Sequence, residues 1–179
     1  MKNIFFLFKK AFLPVIIAFT LVFCQSCGKR EISAADLMFA ATEVLDTVPE
    51  YRVFSAQSNE FESSHLTEQE FSFIYTGVSG SCQEFSVLSD YYMLFSTGIS
   101  VFELHVLRAS DITAVPGIEK LVCRRADLLN RYNNVAEELD LIYLSPNRAE
   151  VAVFGHWVIL SVTPENQEVF SAIKSRLRE

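Results

Sequence analysis

The sequence predicts an α+β fold: an antiparallel four-stranded sheet made of two hairpins, each followed by a helix, with additional N-terminal helices. Three observations predict it. Residues 101–108 alternate between two sets of side chains, as a half-buried strand does. From Pro116 the apolar residues change to helical spacing, and one face carries the residues Ile118, Leu121, Val122, Leu128, Leu129 and Tyr132. The same order of hairpin and helix recurs over residues 149–177, so a sheet with both later helices on one face would bury these stripes.

Two helices are predicted before the first hairpin, because two segments begin with a capping box. Ser33 and Asp36 begin an apolar stripe that runs from Leu37 to Val48 and stops at Pro49. A second box, with Thr67 as its first residue, precedes a short helix that ends before Gly77. Residues 51–64 are mixed and polar, which indicates a short extended piece and a loop.

Turn signals set the boundaries of the two hairpins. Residues 84–95 are rich in β-favouring side chains, with a bulge expected at Ser89 and Asp90, and they turn at residues 96–98 into the 101–108 strand. Gly155 and His156 form a two-residue loop between the strands 149–154 and 157–162, and glycine in first place favours a type II′ turn.

The last helix is expected to start with Thr163 as N-cap and Pro164 at its first position. If the strand alternation holds, the sheet face opposite the later helices carries Glu103, His105 and Trp157, and the N-terminal helical stripe covers part of it.

The length and charge indicate one acidic domain behind a targeting segment. Of 179 residues, we assign 1–27 to targeting and 28–179 to a single α+β domain. The formal charge of the chain is −7, and removing the first 27 residues leaves 12 basic and 22 acidic residues, a charge of −10. A nucleic-acid binder needs basic clusters that displace phosphate counterions, and the sequence has none, so that class of partner is disfavoured.

The N-terminus has the pattern of a secretory signal. Three lysines in the first ten residues precede a 13-residue apolar run, Ala11–Phe23, that ends at small residues. The run is too short to span a bilayer, which takes about 20 apolar residues. We therefore expect the folded domain to lie outside the cytoplasm.

Cys27 is the predicted lipidation site. The Ser26-Cys27-Gly28 junction resembles the lipobox of bacterial lipoproteins, whose cysteine becomes the mature N-terminus and carries acyl chains such as palmitate. Cys24 is the other candidate, but bulky Phe23 precedes it where a small residue is required. Plain cleavage or an uncleaved anchor are the alternatives to lipidation.

The residues from Ala34 to Leu177 resemble a family of small lipoproteins from clostridial-type bacteria that is defined only as a domain of unknown function. Four segments in this order carry the resemblance: Val101–Asp111, Leu121–Arg125, Tyr143–Pro146 and Ala152–Leu160. The resemblance implies a lipid-anchored location on the extracytoplasmic face of the cell membrane. It implies no activity, cofactor or catalytic residue.

Histidine and cysteine spacing indicates neither a metal site nor a cofactor. His65, His105 and His156 are far apart, and no HExxH or paired-cysteine motif accompanies them. His105 and Glu103 are i and i+2 neighbours on one strand face, which is the only arrangement that suggests catalysis. Cys82 and Cys123 remain after the targeting segment; they are either a disulfide or free structural thiols, and we favour structural or free thiols.

Arg125 falls inside the apolar stripe of the long helix, where helical spacing predicts an apolar side chain. Either its guanidinium extends past the helix edge to water, or it is buried in an ion pair or a set of carbonyls. Glu103 is a partner only if the strand-face assignment above is wrong.

These features favour a membrane-tethered extracytoplasmic module that binds a protein, wall component or small ligand, without catalytic residues. The alternative is a small cell-envelope hydrolase that uses Glu103 and His105. A concave pocket holding both side chains, with perturbed ionisation, would favour the enzyme.

Overall fold

The computed structural model describes residues 31–97, 101–138 and 147–179, and these residues form five α-helices and five strands. The helices are α1 (Ala34–Thr42), α2 (Glu68–Thr76), α3 (Gln83–Ser86), α4 (Val115–Glu138) and α5 (Asn166–Arg176). The strands are β1 (Tyr51–Ser55), β2 (Leu88–Ser96), β3 (Glu103–Ala109), β4 (Glu150–Phe154) and β5 (Trp157–Val162). A 3₁₀ turn, Ile112–Ala114, leads into α4. Residues Ile32–Glu179 form one compact unit.

The α+β class and the antiparallel sheet are confirmed, but the sheet has five strands, in the order β1-β2-β3-β5-β4. The additional strand is β1, which the sequence indicated only as a short extended piece. It pairs with β2 along its whole length, from Tyr51 opposite Ser96 to Ser55 opposite Tyr92. A five-residue segment gives little periodicity, so its place in the sheet depends on a partner that the local pattern does not reveal.

Each face of the sheet packs against helices, which gives three layers. Directly opposed residues of antiparallel strands share a face, so Met93, His105 and Leu160 form one row across β2, β3 and β5. This row belongs to the core beneath α2 and α4. The neighbouring row includes Leu94 and Leu104 and belongs to the second core, beneath α1 and α5.

The predicted placement of the two later helices on one face is wrong, because α4 and α5 lie on opposite faces. Glu103 and His105 therefore point toward α4, whereas Trp157 packs with the α1–α5 core. The reason is that six of the seven residues of β3 are buried. Its alternation separates two cores rather than core from solvent.

The local turn signals are largely confirmed. The β2–β3 register shifts between Leu88 and Asp90, which is the predicted bulge. Gly155 has φ 59°, as the first position of a tight primed hairpin turn requires. The predicted strand 84–95 begins later than expected, because residues 84–86 belong to the short helix α3.

Both capping boxes are present, but the helix that follows Ser33 is shorter than its stripe. The Ser33 hydroxyl accepts from the Asp36 N–H at 3.1 Å, and the Thr67 hydroxyl accepts from the Glu70 N–H at 3.2 Å. Helix α1 ends at Thr42 rather than Val48. The Thr42 hydroxyl donates to the carbonyls of the preceding turn, and such back-bonding favours a helix end.

The other differences concern helices α4 and α5. Leu128 and Tyr132, predicted on the inner face of α4, are more than half exposed, and the buried face there runs through Ala126 and Leu129. Leu128 is about 100° around the helix from Leu129, so it lies at the edge of that face. Helix α5 starts three residues after Thr163, whose N–H donates to the Asn166 side chain at 3.0 Å.

Candidate functional site

Helix α4 and strand β3 bring together the two charged side chains that the sequence singled out, Arg125 and Glu103. The Arg125 Nε donates to Glu103 Oε2 at 3.1 Å, and its Nη2 donates to Oε1 of the same carboxylate. The side chains are 20% and 8% exposed. Two parallel bonds from a guanidinium to one carboxylate form the strongest common type of ion pair. Of the two alternatives for Arg125, the buried ion pair is therefore confirmed.

His105 extends this pair toward helix α2. Its Nδ1 lies 2.8 Å from the Tyr75 hydroxyl, and its Nε2 lies 3.5 Å from Glu103 Oε2. Because a carboxylate only accepts hydrogen bonds, we assign the ring proton to Nε2, and the Tyr75 hydroxyl then donates to Nδ1. The Nε2 atom has no hydrogen-bond partner among the described residues. We call these four side chains the buried polar cluster.

Burial keeps His105 and Tyr75, the two members outside the ion pair, uncharged at neutral pH. Desolvation lowers the pKa of His105 well below its ordinary value, and the positive charge of Arg125 lowers it further. Desolvation also raises the pKa of Tyr75 well above its ordinary value, and the Glu103 carboxylate adds to that effect. The cluster thus contains one ion pair and two neutral hydrogen-bonding groups.

Within the described part of the chain, Glu103 and His105 are almost closed to solvent. Glu103 is 6% exposed and His105 is fully buried. A general base must come within hydrogen-bond reach of the proton that it removes. The pKa of His105 is perturbed as in many active sites, but the described residues enclose the side chains of both Glu103 and His105.

A cleft lies one side chain away from His105. The Phe95 ring packs on the His105 ring, with 4.6 Å between centroids, and meets Phe54 edge-on at 5.7 Å. Both phenylalanines also line a cleft of about 520 Å³ between the β1–β2 end of the sheet and α2. We call it the β1–α2 cleft.

The β1–α2 cleft combines an apolar floor with a polar rim. Its apolar lining comes from the residues Phe54, Phe73, Ile74 and Phe95. Its polar lining comes from the residues Arg52, Thr67, Gln69, Glu70, Ser79, Ser96 and Thr97. Volumes of 300–1,000 Å³ with mainly apolar lining and a few polar groups are typical of small-ligand sites.

Arg52 is the cation at the rim of this cleft. Its guanidinium lies 4.4 Å from the centre of the Phe54 ring, and its Nη2 is 3.7 Å from Glu70 Oε1. Glu70 is fixed in turn, because its Oε2 accepts from the Thr67 N–H at 3.0 Å in the capping box of α2. The half-exposed Arg52 is thus held over an apolar surface, where it can pair with an acceptor on a ligand.

Sequence reasoning missed the β1–α2 cleft. Arg52 and Phe54 belong to residues 51–64, for which the sequence predicts only a short extended piece and a loop, and no sequence pattern separates Phe73 from the other residues of α2. The only local signal was the i, i+2 spacing of Arg52 and Phe54, which places an arginine beside an aromatic ring on one strand face.

The other candidate residues belong to neither the buried polar cluster nor the lining of the β1–α2 cleft, although Cys82 lies near enough to Tyr75 to interact with it electrostatically. His65 follows β1 in a loop, and His156 is exposed in the β4–β5 turn. Cys82 and Cys123 are both free thiols, and burial raises the pKa of each, which disfavours a reactive thiolate. The described part of the chain contains no cluster of potential metal ligands. Cys24 and Cys27 lie outside the described residues.

Comparison with known proteins identified no relative: no family model, curated protein or solved structure matches the chain. None of the described helices is long and apolar enough to cross a membrane.

Proposed function

We propose that this chain is a lipid-anchored extracytoplasmic binding module whose ligand occupies the β1–α2 cleft. The observation that carries the proposal is the cleft itself, whose aromatic floor and fixed rim arginine are separate from the buried polar cluster. A suitable ligand has an apolar or aromatic group for the floor and a hydrogen-bond acceptor or anionic group for Arg52.

The location comes from the N-terminal sequence. The signal pattern and the Ser26-Cys27-Gly28 junction support export and lipidation at Cys27. A tethered domain of this kind would meet small ligands, wall components or protein segments at the membrane surface. The hydrolase alternative has less support, because Glu103 and His105 are enclosed by protein.

A probe with matching chemistry tests the cleft. We expect 8-anilinonaphthalene-1-sulfonate, an aromatic anion, to bind the folded protein and to bind roughly tenfold more weakly when Arg52→Gln is combined with Phe73→Ser. Phe73 is 59% exposed, so its replacement should not disturb the core. Fluorescence titration gives the dissociation constants.

The matched control combines Leu128→Ser with Arg131→Gln, which also removes an exposed apolar side chain and an exposed cation, but on α4. We expect this pair to leave probe binding unchanged. Equal weakening by both double variants would show that the probe detects exposed apolar surface in general, and would reject the cleft as its site.

The anchor has its own test. If Cys27 is lipidated, Cys27→Ser should release the protein from the membrane fraction or leave it unprocessed, whereas Cys24→Ser should retain the parent behaviour. Mass spectrometry of the mature protein should show an acyl-modified Cys27 at its N-terminus. An unmodified N-terminal residue after position 27 would reject lipidation at this site.

A further inference from the structure

A second pocket, on the other side of the molecule from the β1–α2 cleft, concentrates positive charge. It has a volume of about 400 Å³ and is formed around the β4–β5 turn and the end of α5. Arg108, Lys174 and Arg178 line it, together with His156 and the indole of Trp157. The Arg108 guanidinium lies 5.4 Å from the centre of the Trp157 ring. We call it the hairpin-end pocket.

The charge of the hairpin-end pocket contrasts with that of the domain. The chain after residue 27 has a formal charge of −10, yet three of the residues lining this pocket are cationic and none is acidic. The nearby Glu179 carboxylate is paired with Arg176 rather than with Lys174 or Arg178. The Asp111 carboxylate interacts with His156, which also lines the pocket. Clustered cations on an acidic protein select anions locally.

The hairpin-end pocket lies at the end of the sheet where the chain enters α1. The Ala34 N–H donates to Asp90 Oδ2 at 2.7 Å. Asp90 is opposite Arg108 across β2 and β3, and Arg108 is opposite Trp157 across β3 and β5. The first turn of α1 therefore lies beside β2, and only β3 separates β2 from Trp157 of the pocket on β5. In sequence, Cys27 is seven residues before Ala34, and seven extended residues span at most about 25 Å.

We propose that the hairpin-end pocket docks on the phosphate headgroups of an anionic membrane and so fixes the orientation of the domain on the bilayer. The proposal rests on the proposed lipid anchor at Cys27, which would hold this end of the sheet close to the headgroups. Lys174 and Arg178 have long, exposed side chains that can reach phosphate oxygens. Docking at this end leaves the entrance of the β1–α2 cleft free for its ligand.

Trp157 reports on this docking directly, because it is the single tryptophan of the chain and lines the pocket. The experiment uses the full lipidated protein in phosphatidylcholine vesicles with or without phosphatidylglycerol, and measures energy transfer from Trp157 to a dansyl-labelled lipid headgroup. We expect strong transfer only with phosphatidylglycerol, and its loss at high salt. Lys174→Gln with Arg178→Gln should lower the docking equilibrium constant by about 30-fold.

The matched control, Lys120→Gln with Arg131→Gln, removes two exposed cations from α4 and should behave as the parent protein. Equal transfer in the two vesicle types, or equal loss in both double variants, would overturn docking through this pocket. Sedimentation with vesicles at high salt measures the anchor separately, so loss of sedimentation rejects the anchor rather than the pocket. Quenching of Trp157 by inorganic phosphate, without approach to lipid, would assign the pocket to a free anion and overturn membrane docking.

Discussion

Replacing Arg125 by alanine is expected to lower the free energy of unfolding by about 3 kcal/mol. The substitution removes both hydrogen bonds to Glu103 and leaves that carboxylate buried without a cation. Partial exposure of Arg125 keeps the expected cost at the lower end of the range for broken buried pairs. Chemical denaturation, with the midpoint and slope compared to those of the parent protein, measures the effect.

Two variants control this prediction. Arg124→Ala removes the neighbouring exposed arginine and should cost less than about 1 kcal/mol. Arg125→Met combined with Glu103→Leu removes both charges and should recover much of the lost stability, because no carboxylate then lacks its partner. A midpoint for Arg125→Ala equal to that of the parent would contradict the buried ion pair and would show that the Arg125 guanidinium is solvated.

Acidification is expected to destabilise the protein through His105. The folded-state pKa of His105 lies well below the value of about 6.5 for an unfolded histidine. Between the folded-state pKa and a pH of about 6.5, the unfolded chain binds a proton at His105 that the folded protein does not bind. The stability contributed by neutral His105 is therefore complete above pH about 6.5 and is lost as the pH falls toward the folded-state pKa, by at most about 1.4 kcal/mol per pH unit.

His105→Gln isolates this effect, because glutamine does not titrate. Denaturant unfolding measured at a series of pH values should show a shallower loss of stability for His105→Gln than for the parent below pH about 6.5. Identical slopes for His105→Gln and the parent would show that folding does not lower the pKa of His105 and that its ring is accessible to water.

Local signals predicted the elements of this fold better than their arrangement. Capping boxes at Ser33 and Thr67, the bulge before Asp90 and the turn at Gly155 were all readable, because each depends on a few adjacent residues. The local sequence pattern did not predict which face of the sheet each helix covers. In a strand buried on both sides, alternation shows that two faces exist, but does not show which helix packs on which.

The candidate sites were also predictable only where they depend on neighbouring residues. Arg125 was recognisable as an anomaly in a periodic stripe, but its partner Glu103 could not be assigned while the strand face was uncertain. The β1–α2 cleft depends on Arg52 and Phe95, which are 43 positions apart in the sequence and directly opposite in the sheet. Such long-range pairings leave no trace in local spacing.

The polar residues of strand β3 help to fix its register against the neighbouring strands. In a sheet covered on one face, a shift of one residue exposes the apolar set to water, which penalises misalignment. Here both faces of β3 are covered, so a shifted strand would still bury its leucines and valines. Glu103 and His105, however, would turn away from Arg125 and Tyr75 toward the apolar layer of α1 and α5. The desolvation of an unpaired carboxylate there opposes the shift, so the ion pair selects one pairing of the central strand among several that hydrophobic burial alone would tolerate.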